Sequence, residues 1–116
     1  MNKSIKKQQK RTARRRRIRA RIFGTALRPR LSVHKSNTQL RAQLINDENG
    51  TTLVAVATSK IDGSTKKEKL QSAAQKLAEE AKSKKIKKVV FDRGGFEYTG
   101  NIKLFADSVR EAGLEF

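Results

Sequence analysis

One apolar run does most to limit what this chain can fold into. Val89-Val90-Phe91 stands between two segments of helical periodicity and is closed by Asp92-Arg93-Gly94-Gly95. A continuous β-branched and aromatic run, stopped by turn residues, reads as a strand buried on both faces. With a helix before it and another after it, it is the return strand of an α/β unit. The glycines past its end permit positive φ and a close backbone approach. Ligands of open α/β sheets gather at the carboxyl ends of strands. The stretch from Ile86 to Gly100 is therefore expected to supply both the core strand and one wall of a binding surface.

The chain leading up to it alternates. Pro29 holds the backbone extended, and Arg30 to Lys35 then places Leu31 and Val33 inward and Arg30, Ser32 and His34 outward. After a turn at Ser36-Asn37-Thr38, Gln39 to Asn46 turns Leu40, Ala42 and Leu44 in, and Gln39, Arg41 and Gln43 out. Asp47-Glu48-Asn49-Gly50 signals a hairpin, and Thr51 to Thr58 is a third strand. Ile61 to Ser64 is a polar loop. Thr65-Lys66-Lys67-Glu68 fits a capping box, opening a helix with Leu70, Ala73, Ala74, Leu77, Ala78 and Ala81 on one face. Beyond the apolar run, Asn101 to Ala112 forms a second helix through Ile102, Phe105, Ala106 and Val109. Gly113 stops it, and Leu114 and Phe116 pin the terminus. The expected fold is a single α/β domain with a mixed sheet in the order β-β-β-α-β-α. It has three antiparallel strands, one parallel strand and two helices on one face.

Ahead of this domain lies a basic arm. Residues 1–27 carry Lys7, Lys10, Arg11, Arg14, Arg15, Arg16, Arg17, Arg19 and Arg21, and no acid precedes Asp47. So few apolar side chains cannot offset ordering entropy, so the arm is expected to be disordered when free and to become helical on a polyanion. Ile22-Phe23-Gly24-Thr25 reads as a hinge, and the domain proper as 28–116. A targeting peptide fits less well: the apolar centre of a secretory signal is missing, and a mitochondrial presequence is richer in serine. The net charge of +17 over 116 residues calls for a polyanionic partner. No cysteine is present, which excludes disulfides, thiolate metal sites and a cysteine nucleophile. No apolar run reaches the length of about 20 residues that spans a bilayer.

Catalysis finds little support. His34 is the single histidine, with no carboxylate placed by sequence to orient it for proton transfer. Asp92, at the end of a strand, occupies a common Mg²⁺-ligand position, and three antiparallel strands before α, β, α resemble ribonuclease H-like nucleases. Those enzymes need a carboxylate from the first strand, and Arg-Leu-Ser-Val-His-Lys has none. Asp92 reads better as a turn cap, or as the partner of Arg93. Gly94-Gly95 lacks the downstream pattern of a phosphate-binding loop. Arg93, Phe96, Tyr98 and Lys103 beside it mix cations with rings, as RNA recognition does, although Phe96 is expected to pack in the core. The outward set Arg30, Ser32, His34, Arg41 and Gln43 lacks acids and aromatics, so it suits phosphate and shape rather than base reading. No cofactor, small-molecule substrate or membrane is expected.

Several blocks together resemble a known family. Phe23-Gly24-Thr25-Ala26, Arg28 to Val33, Ser36-Asn37, Ala42-Gln43, Lys87 to Gly95, Tyr98, Gly100 and Arg110 to Phe116 are similar to the bacterial 5S rRNA-binding proteins of the large ribosomal subunit, the L-eighteen family. Arg41 and Thr99 depart from it, standing where the family often has an aromatic and a histidine. The resemblance implies a mixed α/β sheet with two helices and a non-catalytic role in the cytoplasmic ribosome. That role is attaching 5S rRNA to 23S rRNA beside the other proteins of the central protuberance. Arg28, Lys35, Ser36, Asn37 and Thr99 complete the expected RNA-contacting set. A magnesium-dependent nuclease is the alternative, and a DNA-compacting protein a third class.

Overall fold

The structure is a computed structural model describing residues 3–36, 39–60, 65–96 and 98–116. Its strands are β1 (Arg30–Lys35), β2 (Leu40–Asn46), β3 (Thr51–Ala57) and β4 (Val90–Asp92), and its helices α1 (Lys3–Arg19), α2 (Lys66–Ser83) and α3 (Gly100–Glu111). The sheet order is β3-β2-β1-β4. β2 runs antiparallel to both β1 and β3, and β4 runs parallel to β1. This is the mixed α/β domain that the alternation predicts, with a third helix in the arm.

Period-two patterning builds the inner face. Leu31, Val33, Leu40, Ala42, Leu44, Val54 and Val56 are all buried, while Arg41 and Gln43 between them are exposed. The hairpin turns at Gly50 with φ 69°, the conformation that Asn-Gly admits without strain. α2 and α3 cover the inner face with Leu70, Leu77, Ile102, Phe105 and Val109, and the alanines Ala73, Ala74, Ala78 and Ala81 are fully buried between them. Burying a side chain such as Leu77 or Phe105 contributes about 1.5–3 kcal/mol. Thr65 caps α2 by accepting the Glu68 amide at 3.1 Å, as the capping-box spacing requires. The Ile61 to Ser64 loop and the Asn37-Thr38 part of the first turn lie outside the described residues. Ser36 closes its side of that turn, its amide donating to the Gln39 carbonyl at 2.9 Å.

Two expectations are corrected here. β4 is not buried on both faces: it is a three-residue edge strand whose Val90 and Phe91 are half-buried. Val89 is fully buried, but the apolar run continues beside the chain's own end rather than another strand. The Val89 amide donates to the Glu115 carbonyl and the Glu115 amide to the Lys87 carbonyl, both at 3.0 Å. Phe116 stacks on Phe91 at 5.5 Å. The expected hinge at residues 22–25 is instead anchored at Gly24, whose amide and carbonyl both bond to Asp47. Gly24 is buried, and a Cβ there would collide with the Arg30 amide and the Ile45 carbonyl. Only glycine lets this turn lie so close to the sheet.

Candidate RNA interface

The outer face of the sheet is built around Arg30. The alternation aims this side chain outward, where it was expected to meet phosphate; in the structure it is only 6 % exposed. Its Nε donates to Asp47 Oδ2 at 2.9 Å, its NH2 to Asp47 Oδ1 at 3.1 Å and its NH1 to Asp92 Oδ2 at 2.8 Å. The Gly24 amide also donates to Asp47 Oδ2, at 2.8 Å. Burial works against the charge on Arg30, but its bonds to Asp47 and Asp92 outweigh this and raise its pKa. The bond from Arg30 holds the Asp47 carboxyl below its ordinary range, helped by the Gly24 amide. Arg30 is thus a structural clasp, removed from the set of exposed cations.

Asp92 is a turn cap, as expected, with Oδ1 accepting the Gly94 amide at 2.8 Å. Its charged partner is Arg30 and not Arg93. With one oxygen on a guanidinium and the other on an amide, this carboxylate is engaged in holding the fold.

The arm, too, departs from expectation. Expected to be disordered in isolation, it is the helix α1, docked on the turn after β4. Arg11, Thr12, Arg14 and Ile18 are half-buried, and Arg11, Arg14 and Ile18 among them form an i, i+3, i+7 stripe that gives the helix one face to rest on. Arg14 Nε donates to the Gly95 carbonyl at 2.8 Å, and the Arg11 guanidinium lies 4.3 Å above the Phe96 ring, a cation–π contact. Gly95 has φ 81°, and a Cβ there would strike the Arg11 carbonyl. The glycine pair therefore serves as a seat for the arm's own backbone. Phe96 is in the core as expected, and it also meets His34 edge-on at 5.6 Å.

Docking leaves cationic grooves on both sides of α1. One, of about 300 Å³, is lined by Arg14, Arg17, Ile18, Arg21 and Arg93. Another, of about 240 Å³, is lined by Lys7, Arg11, Arg14, Lys35, Phe96, Thr99 and Ile102. A third, of about 390 Å³, carries Lys7, Arg11 and Lys35 on to His34 and Ser36. No carboxylate lines any of them among the described residues. Arg11 Nε is buried without a partner, a donor facing a region rich in positive charge. Thr99 begins α3 without a side-chain cap, and the first turn carries no acid, so the positive end of the helix dipole is left uncompensated. On α1, Lys7 with Arg11, Lys10 with Arg14, and Arg11 with Arg15 are like-charge pairs at i, i+4, which destabilise a helix by a few tenths of a kcal/mol each. Anions in these grooves would relieve that repulsion. Burial and the charges of Arg41, Arg11 and Arg15 together lower the pKa of His34.

The other expected residues separate into groups. Lys10, Arg15, Arg16 and Arg17 are exposed along α1. Arg19 reaches Asp47 at 3.6 Å. Arg28 is exposed beyond the tight turn that the Thr25 amide and the Arg28 carbonyl close at 3.0 Å. Ser32 is half-buried on the outer face, and Arg41 and Gln43 are open on its β2 side. Tyr98 and Lys103 are not brought to this surface. Tyr98 packs edge-on against Phe91 and accepts from Arg110 at 3.0 Å, while Lys103 pairs with Asp107 at 3.1 Å. Asn37 lies outside the described residues. Sequence reasoning missed Asp47, whose place in a hairpin turn hides its second role. It also missed Phe23, 59 % exposed and next to Arg21 in the chain.

A mixed α/β domain with an apolar inner face, and an arginine-rich helix docked on the turn after β4 between acid-free grooves, defines a basic module suited to a polyanion. The sequence matches, over residues 5–116, the family described as ribosomal L18 of archaea, bacteria, mitochondria and chloroplasts, and the chain belongs to that family. It is 48 % identical over 120 residues to the large ribosomal subunit protein uL18 of Caldicellulosiruptor saccharolyticus, covering 98 % of this chain and 97 % of the relative. Against the uL18 of Clostridium botulinum identity is 50 % over 119 residues and all of both chains. Against that of Lactobacillus delbrueckii subsp. bulgaricus it is 50 % over 109 residues, covering 91 % and 92 %. Proteins of this family are structural constituents of the large ribosomal subunit and not enzymes, and in bacteria they are part of the cytoplasmic ribosome. The nuclease reading ends there.

Proposed function

We propose that this chain binds 5S rRNA and helps attach it to 23S rRNA in the central protuberance, beside neighbouring large-subunit proteins. In this reading residues 1–27 are the RNA-binding arm and residues 28–116 the domain that carries it. The observation behind it is the pair of acid-free grooves flanking α1, which present Lys7, Arg11, Arg14, Arg17, Arg21, Lys35 and Arg93 to phosphate. Arg15, Arg16, Arg19, Arg28, His34, Arg41 and Gln43 extend the surface, and Phe23 adds a ring able to stack on an unpaired base. Recognition rests on phosphate position and RNA shape, with little direct reading of bases. Arg30 takes no direct part.

Titration of the purified chain with 5S rRNA at rising salt tests this. With roughly 6–10 phosphates engaged, affinity falls ~10³–10⁵-fold between about 50 and 200 mM salt. A flat response, or equal affinity for duplex DNA, would overturn it.

A further inference from the structure

The two edges of the sheet are finished differently. At β4 the strand is three residues long, charged residues flank it, and the returning terminus pairs with the backbone just before it through Lys88 and Glu115. At β3 the edge is seven residues long, Thr-Thr-Leu-Val-Ala-Val-Ala, with neither a charge nor a proline. Edge strands usually carry lysine, proline, a bulge or a cover, because their unpaired amides and carbonyls otherwise invite another strand. Here the one such device is the register shift between Leu44 and Ile45, opposite Leu53. From Val54 to Ala57 the ladder is regular, and among the described residues no backbone hydrogen bond leaves this stretch except to β2.

A groove of about 360 Å³ adjoins that regular half, lined by Ala55, Val56 and Ala57 of β3, by Arg41 and Gln43 of the paired strand β2 and by Lys76 of α2. Beside the unpaired edge the groove thus combines the small side chains Ala55 and Ala57 with two cations, Arg41 and Lys76. A peptide strand matches the alternating donors and acceptors of an unpaired strand edge, whereas nucleic acid has no backbone of that spacing. A second copy is opposed by repulsion between two chains of +17. We infer that the free edge of β3 receives an extended, acid-bearing segment of another protein by strand addition, with Arg41 and Lys76 pairing its carboxylates. The inference shares Arg41 and Gln43 with the margin of the RNA surface, so its test turns on Lys76 and on the backbone of β3, which the RNA reading does not use.

The test uses the full-length chain labelled with nitrogen-15 at about 0.15 M salt, with a capped Glu-Val-Thr-Val-Thr-Glu peptide as probe and a lysine-flanked counterpart as control. The expected result is saturable binding of the acidic peptide alone, with at least tenfold slower exchange of the outward amides between Val54 and Ala57. Lys76→Glu should weaken it about tenfold while leaving 5S rRNA affinity unchanged. The inference is overturned by absent saturation, by equal binding of both peptides, or by shifts confined to α1, which would mean mere neutralisation of the arm. Protection of the same amides by 5S rRNA would make the edge an RNA surface instead. Protection that grows with protein concentration alone would make it a self-association edge.

Discussion

The two faces of the sheet use side chains in opposite ways. On the inner face position alone decides the role: Leu31, Leu44, Leu77 and Phe105 are fully buried, and any apolar residue of fitting volume would serve. On the outer face one residue type performs two tasks, and the distribution of acids decides which. Arg30, held by Asp47 and Asp92, is part of the fold. Arg41 on the neighbouring strand and Arg11, Arg14 and Arg17 of α1 line grooves without carboxylates, and so keep their charge for a partner. An arginine is structural here where acids reach it, and functional where none does.

That contrast can be broken most directly by mutation on the outer face. Arg30→Ala leaves the buried Asp92 without its counter-charge and Asp47 with only the longer pair to Arg19, and is expected to cost about 3–5 kcal/mol in urea unfolding. Arg41→Ala should change stability by less than about 0.5 kcal/mol while weakening 5S rRNA binding. Equal stability losses would erase the distinction. Next in size, removal of residues 1–22 should leave the urea midpoint nearly unchanged and lower rRNA affinity at least about 100-fold, because most phosphate-binding cations leave with the arm. Loss of folding would show that α1 belongs to the core.

Gly95→Ala addresses the seat between the two regions. An alanine at this positive φ costs about 1–2 kcal/mol, and its methyl group would push α1 away. About a tenfold loss in rRNA affinity is expected, with α1 amides losing their protection from exchange. The smallest effect is that of acid. Because Arg30 holds the Asp47 pKa below its ordinary value, the native state binds fewer protons there than the unfolded chain does. The stabilisation is fully present above about pH 4 and is lost as pH falls through the folded-state pKa. Asp47→Asn should lower stability at neutral pH and flatten that acid limb, as read by thermal unfolding across pH.

How much of this was legible in the sequence follows the same division. Alternation and the i, i+3, i+4 rhythm located the inner face, the hairpin, the cap at Thr65 and the stop at Gly113, because each is a local pattern. Alternation also sent Arg30 outward, correctly in direction, but it carries no information about what covers that side. The partners of Arg30 are 17 and 62 residues away in the chain, beyond any local rule. The Val89-Val90-Phe91 run fails for a related reason: hydrophobicity reports burial and does not say whether a strand or a returning terminus provides it. The seat for α1 was hidden because a glycine pair records a close approach without naming what approaches. For the interface, composition showed that the partner is a polyanion and listed the cations, but not which of them remain unpaired.

The Arg30 clasp also has a consequence for synthesis. It joins the Gly24 turn, β1, the first hairpin and β4, so three of its parts leave the exit tunnel well before the fourth. Until Asp92 emerges, one guanidinium shares a single counter-ion, and the outer face stays unlatched however complete the first hairpin is. The last quarter of the chain thus acts as the keystone for a surface whose first strands are made long before it.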